Sequence, residues 1–315
     1  MLQFIKEGTV IPFMRIKIFI ELICLGLVIA SIVSMAVKGL NWGLDFTGGI
    51  VVETQYSKAV DLEDVRAAYL KQGIDGTVQY AGSSSDVMVR VAPKDGINQQ
   101  SATNSILAAS KTIDPQVRLM RSEYVGPAVG AELVESGILA IVVSMIAILA
   151  YIAFRFEWRM ATGAVISLTY DVIVVMGVFS FFQIEYDLTV LAAVLTVVGY
   201  SLNDKIVVFD RVRENATRLP RNISMERMFD ISLTQTLSRT IVTSGTTLIT
   251  VVSLMIFGGD MIYGFALALF VGIVFGTFTS IYVASTWTLL LGITRQNLMP
   301  RKVEKKETDV MESMD

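Results

Sequence analysis

The residues best suited to do chemistry lie in 188-LTVLAAVLTVVGYSLNDKIVVFDRVREN-215. An apolar run long enough to cross a bilayer is interrupted by Asn203, Asp204 and Lys205, then closes with Asp210, Arg211, Arg213 and Glu214. An ionisable residue within a spanning helix costs roughly 2.5–3.5 kcal/mol on insertion scales, so its presence argues for a task. The task a lone carboxylate suits is binding and releasing a cation, above all a proton. Residues three and four apart share a helical face, which aligns Val197, Tyr200, Ser201 and Asp204. Asn203 shares a second face with Thr196, Gly199 and Asp210, and Gly199 would let another helix approach closely. The plainer reading of Asp204 is structural, a carboxylate paired to a cation to lock a bundle.

Two further segments carry polar groups inside apolar runs. In 167-SLTYDVIVVMG-177, Asp171 is a second relay carboxylate, a partner for Lys205, or an acceptor for a backbone donor. In 234-TQTLSRTIVTSGTTLITVV-252, Arg239 heads a stripe with Thr243, Thr246 and Thr250. Those hydroxyls either bond their own helix carbonyls or line a hydrated seam between helices. Arg239 either snorkels to the near interface or pairs with Asp204, where proton and guanidinium would compete for one carboxylate.

Other chemistries are excluded by what is missing. The 315 residues include no His and a single cysteine, Cys24, so neither an imidazole base nor an intrachain disulfide is available. There is no HExxH, Ser–His pair, CxxC or GxxxxGK[ST], and the Gly48–Gly49 pair leads into a strand rather than a phosphate-binding helix. No enzyme activity, catalytic residue or metal site is expected. A net charge of -3 offers nothing to nucleic acid. Only 17% of residues are charged and 53% are hydrophobic, the balance of an integral membrane protein.

The elements that position these residues follow from hydropathy. Residues 1–16 read as an interfacial segment on membrane lipid, and 17–37 as a first span carrying Lys17 and Glu21 near its start. Residues 38–133 change character and form a soluble domain. There 43–57 reads as a strand, 61–73 as a helix, 77–81 and 86–92 as strands, 97–113 as a helix and 116–126 as a strand. That βαββαβ order predicts an α+β ferredoxin-like domain. Residues 134–292 form a five-helix membrane region with spans at 135–154, 162–182, 188–209, 241–257 and 262–291, the last long or tilted, giving six transmembrane helices in all. Its loop 211–238 reads as an amphipathic helix lying along the membrane surface, and 293–315 as a solvated tail.

Arg155 and Arg159, then Arg211, Arg213, Arg218, Arg221 and Arg227, then Arg295, Arg301, Lys302, Lys305 and Lys306 occupy connections on one side. The opposite short loops hold Glu185, Asp187 and Asp260 but no Lys or Arg. Positive charge collects inside, so both termini are expected in the cytoplasm and the domain outside it.

The segments 43-GLDFTGG-49, 125-VGPAVGAEL-133, 199-GYSLNDKIVVFDRVREN-215 and 234-TQTLSRTIVTSGTTL-248 together resemble the SecF branch of the SecD/SecF family, in the resistance–nodulation–division superfamily. The resemblance covers nearly the whole chain. It implies half of a transporter-type bundle in the bacterial cytoplasmic (inner) membrane. It implies an accessory subunit of Sec protein export that uses the proton motive force with SecD to complete preprotein translocation. Implied partners are SecD, the SecYEG channel, YidC and YajC, and the emerging preprotein. The only implied cofactor is the coupling ion, a proton or sodium in its place, since a carboxylate ringed by Asn203 and Ser201 oxygens suits either. The family's membrane aspartate falls on Asp204 and its arginine on Arg239. Its motif positions fall on Gly43, Asp45, Gly48, Gly49, Gly126, Pro127, Gly199, Asp210 and Arg211. Family members often have His before the third-span aspartate, where this chain has Tyr170, so a His-assisted relay is not expected. Two rival functions remain: a small-molecule or lipid exporter of the same superfamily, and a non-transporting scaffold for translocation factors.

Overall fold

The computed structural model describes residues 9–92 and 99–299. Residues 1–8, the 97–98 start of the second expected domain helix, and the tail from Pro300 with Arg301, Lys302, Lys305 and Lys306 lie outside the described residues. Among the described residues, six helical passes are long and apolar enough to cross a membrane. A 3-10 turn, Phe13–Ile16, enters α1 (Lys17–Lys38). The domain then runs β1 (Asn41–Trp42), α2 (Leu44–Thr47), β2 (Gly49–Gln55), α3 (Leu62–Lys71), β3 (Gly76–Ala81), β4 (Ser83–Val91), α4 (Gln99–Ile113) and β5 (Arg118–Val125). Beyond it come α5 (Pro127–Arg155), α6 (Trp158–Phe182), β6 (Glu185–Tyr186), α7 (Leu188–Arg218), α8 (Met225–Phe257), α9 (Asp260–Ile281), α10 (Val283–Leu290) and α11 (Arg295–Leu298).

The sheet order β3-β4-β2-β5, antiparallel throughout, is the ferredoxin-like arrangement that the βαββαβ order implies. The helices pack onto it through alternating strand positions, so Val52, Val87 and Val89 bury with Val65 of α3 and Ile106 of α4. Asp61 caps α3 by accepting from Glu63 N at 2.9 Å, ahead of an acidic first turn. One reading needs correction. The stretch 43–57 is not a single strand, because Leu44–Thr47 form one helical turn that ends at Gly48. Gly48 (φ +64°) and Gly49 (φ +114°) then turn the chain into β2 through backbone angles that side chains disfavour.

In the bundle, two apolar clusters sandwich a polar layer. One cluster, towards the end remote from the domain, includes Leu168, Val198, Leu202, Val208 and Ala284. The other, towards the domain, includes Val175, Val190, Val197 and Ile273. The polar layer falls where α6, α7 and α9 meet, at Asp171, Ser201, Lys205 and Thr279, all at most 2% exposed. Helix α9 reaches α7 closely because Gly272 and Gly276 present bare backbone. A Cβ at Gly272 would sit 2.3 Å from Val197, and one at Gly276 would sit 2.9 Å from Ser201 Oγ. This is small-xxx-small packing, which lets helices associate in lipid without a hydrophobic driving force. The last pass is divided between α9 and α10 at Tyr282, with backbone bonding kept across the join. Helix α5 stands off, leaving an apolar cavity of about 590 Å³ bounded by Phe46, Ile141, Val172 and Leu195 among others.

A second correction concerns loop 211–238. No surface helix lies there. Helix α7 continues to Arg218, the chain turns over six residues, and α8 then runs unbroken from Met225 through the fifth span. The amphipathic periodicity is real, but its apolar face meets protein rather than lipid. Met228, Phe229 and Leu233 pack with Phe209, Val212 and Ala216 of α7 and Leu298 of α11. Ser224 caps α8 by accepting from Arg227 N.

Candidate functional site in the membrane bundle

Within the polar layer, Asp171 is fully buried and fully engaged. Ser201 Oγ donates to its Oδ2 at 2.6 Å, Thr279 Oγ1 to its Oδ1 at 2.5 Å, and Lys205 Nζ to Oδ2 at 3.1 Å. Lys205, also 0% exposed, directs its remaining donors at Ser201 Oγ and, at 3.5 Å, the Ser201 carbonyl. A lone charge at this depth is costly, whereas a hydrogen-bonded pair is tolerated. Of the three roles open to Asp171, the one whose contact the structure shows is partnership with Lys205.

Asp204 lies between Ser201 and Lys205 in sequence, but its surroundings differ. It is 4% exposed and has no hydrogen bond or ion pair among the described residues. The cations whose charge reaches it are Lys205 and Arg239. Arg239 is itself exposed on α8 and makes no ion pair within 4 Å, so the direct Asp204–Arg239 contact is absent here. Ser201, on the same face as Asp204 in sequence, gives its hydroxyl to Asp171 instead. Asn203, Gly199 and Thr196 face outward, and nothing lies within 4 Å of the Cβ position of Gly199. Most of the α8 hydroxyls bond their own helix, as Thr246 does to the Val242 carbonyl at 2.9 Å. Ser244 instead bridges to Thr277 at 3.1 Å, and Tyr200 reaches Thr247 at 3.5 Å. One side of α7 and α8 is thus polar at membrane depth and uncovered by the described residues.

Residues 105–294 match the family described as protein export membrane protein SecD/SecF, C-terminal, and residues 33–60 match the SecD/SecF GG motif. The chain is 51% identical over 308 residues to the protein translocase subunit SecF of Vibrio alginolyticus, covering 97% of this chain and 98% of that one. It is 45% identical to the SecF subunit of Escherichia coli O157:H7, covering 90% and 88%. The chain belongs to the SecD/SecF family. Among solved structures it is similar to SecDF from Thermus thermophilus, a translocon-associated membrane protein, with a TM-score of 0.80 and 32% identity. That match covers 90% of this chain but only 39% of the longer SecDF chain.

The SecD/SecF GG motif joins the domain to the span that carries Asp204. Asp45 Oδ2 accepts from the backbone N–H of Leu188, the first residue of α7, at 3.0 Å, while Asp187 caps the same helix through Val190 N at 2.8 Å. Carboxylates suit that position because the helix dipole is positive there. Gly43 N donates to the Tyr186 carbonyl at 2.8 Å, and its Cα leaves room for the Asp187 backbone. Arg90 of β4 bridges Glu185 at 2.6 Å and the Trp42 carbonyl. Trp42, Phe46 and Phe179 ring Tyr186, whose burial pushes its phenol up to about 12. Gly126 and Pro127 start α5 beside this joint, with Gly130 against the Gly48 backbone.

At the opposite end, the remaining motif residues clamp helices together. Arg155 Nη2 donates to both carboxylate oxygens of Asp210 at 2.8 Å, and Arg211 pairs with Glu214. Asn215 donates to Ser232 and Gln235 of α8, and Arg295 donates to the Ala216 and Pro220 carbonyls. Asp210 therefore ties α7 to the end of α5, Arg211 is paired within α7, and Asn215 holds the α7–α8 hairpin. Sequence reasoning missed Thr279, Ser280, Gly272 and Gly276. The Gly272-x-x-x-Gly276 spacing followed by two hydroxyl residues was the signal that could have found them.

Proposed function

We propose that this chain is the ion-coupled SecF-type half of a protein-export motor. Both termini lie in the cytoplasm, and the ferredoxin-like domain handles emerging preprotein outside it. The observation that carries this reading is Asp204, a buried carboxylate in a spanning helix with no partner of its own among the described residues. It can take up a proton without first breaking a bond, and Arg239 across the open face is the counter-charge it would engage when deprotonated. The arginines of the described connections all cluster at the end remote from the domain, which supports the orientation.

The uncovered polar side of α7 and α8 supports a SecD-type half as the immediate partner, as in transporters built from two parallel repeats. SecYEG, YidC and YajC are partners of the larger assembly. The Asp45–Leu188 bond is the route by which movement of α7 reaches the domain. Moving a two-state bundle decisively takes a bias of about 5 kcal/mol. One charge crossing 100 mV contributes roughly 2.3 kcal/mol, so a pH difference or a second charge must add to it.

Asp204→Asn should leave the chain assembled with its SecD-type partner and abolish the dependence of export on the proton gradient in inverted vesicles. Gradient-dependent export by that variant would sink the reading. Loss of co-purification instead would favour a non-transporting scaffold. An exporter that took its solute through the outer domain fits poorly. The domain cavity beside Ile74 and Ile106 is about 220 Å³, below the ~300 Å³ where small-molecule sites begin.

A further inference from the structure

We infer that the ammonium of Lys205 occupies a cation-binding position in the centre of the bundle, and that by filling it Lys205 restricts the ion served by Asp204 to the proton. Every polar atom around Nζ is an oxygen: Asp171 Oδ2 at 3.1 Å, Ser201 Oγ, and the Ser201 carbonyl at 3.5 Å. Carboxylate, hydroxyl and helix carbonyl are the donors from which membrane carriers build alkali-metal sites. Thr279 Oγ1 completes the ring on the far carboxylate oxygen, and Ser280 Oγ stands 3.5 Å from the same Ser201 carbonyl.

The ring holds one carboxylate, and so balances one positive charge. A sodium ion there would have to replace the ammonium, because both together would leave a buried net charge. The ammonium is tethered, so sodium must compete with a cation that cannot diffuse away. A sodium ion moving instead to Asp204 would meet the fixed charge of the next residue in the chain. A proton escapes that exclusion, since it neutralises the carboxylate by forming a bond and requires no coordination shell.

The inference rests on Asp204 as the coupling residue, but its test reads folding first. The full-length chain, co-purified with its SecD-type partner in nanodiscs, is melted in sodium chloride or in N-methyl-D-glucamine chloride of equal ionic strength. The unaltered protein should melt at the same temperature in both. Lys205→Ser should melt several degrees lower in N-methyl-D-glucamine and recover as sodium is raised, because a ligand bound only by the folded state stabilises it. Lys205→Ser with Asp171→Asn should lose that response.

Lys205→Ser that responds to sodium no more than the unaltered protein, or that stays unfolded at every sodium concentration, overturns the inference. So does export by the unaltered protein driven by an imposed sodium gradient. Adding Asp204→Asn to Lys205→Ser should keep the sodium response. Failure of coupling at Asp204 is thereby separated from failure of the cation site.

Discussion

Asp171 and Asp204 are carboxylates on neighbouring spans, and two of the three residues that engage the first, Ser201 and Lys205, flank the second in sequence. Asp171 holds two hydroxyls and an ammonium and is wholly buried. Asp204 holds none among the described residues and is buried beside the outward-facing Asn203. The difference separates two uses of charge in a membrane. A carboxylate with both oxygens engaged fixes how three helices meet. One left unpartnered can change its charge without dismantling the bundle.

The largest effect should come from breaking the engaged group. Lys205→Met leaves Asp171 charged, buried and unmatched, at a cost of about 3–5 kcal/mol, whereas joining it to Asp171→Leu should recover most of that loss. Reversible unfolding in mixed micelles measures both, and equal stability of the single and double variants would erase the contrast between the carboxylates. Next is Gly276→Ala, whose methyl would land on the Ser201 hydroxyl that Asp171 and Lys205 hold in place. Forcing α9 away should cost about 1–3 kcal/mol in the same assay. The smallest change should follow Asp204→Asn, within about 1 kcal/mol, because no bond among the described residues is lost. A large loss there would mean Asp204 is as structural as Asp171.

Corrections at both ends of the α7–α8 pair have one cause. Sequence periodicity reports that a helix has an apolar face but not what covers it, so Met228 and Phe229 read as a membrane-facing surface when they pack on α7 and α11. Likewise, i+3 spacing places Ser201 beside Asp204 on one helix. In the folded bundle the hydroxyl instead donates to Asp171 across the α6–α7 interface.

The chain's own pattern determined six spans, the βαββαβ order of the domain and the depth of Asp204, because hydropathy and turn residues act locally. The GG motif's short helical turn was hidden, since a strand-like run of residues can be overridden by two glycines in left-handed backbone. Tertiary structure alone decided that Lys205 belongs to Asp171, that Thr279 of α9 closes the ring, and that Asp45 reaches the start of α7. Each of those contacts joins residues 34 to 143 positions apart, and local pattern says nothing about which helices the packing of glycines and hydroxyls will bring together. The stretch around Asp204 could therefore be located from its cost in lipid, while its division into a locked charge and a free one had to wait for the neighbouring helices.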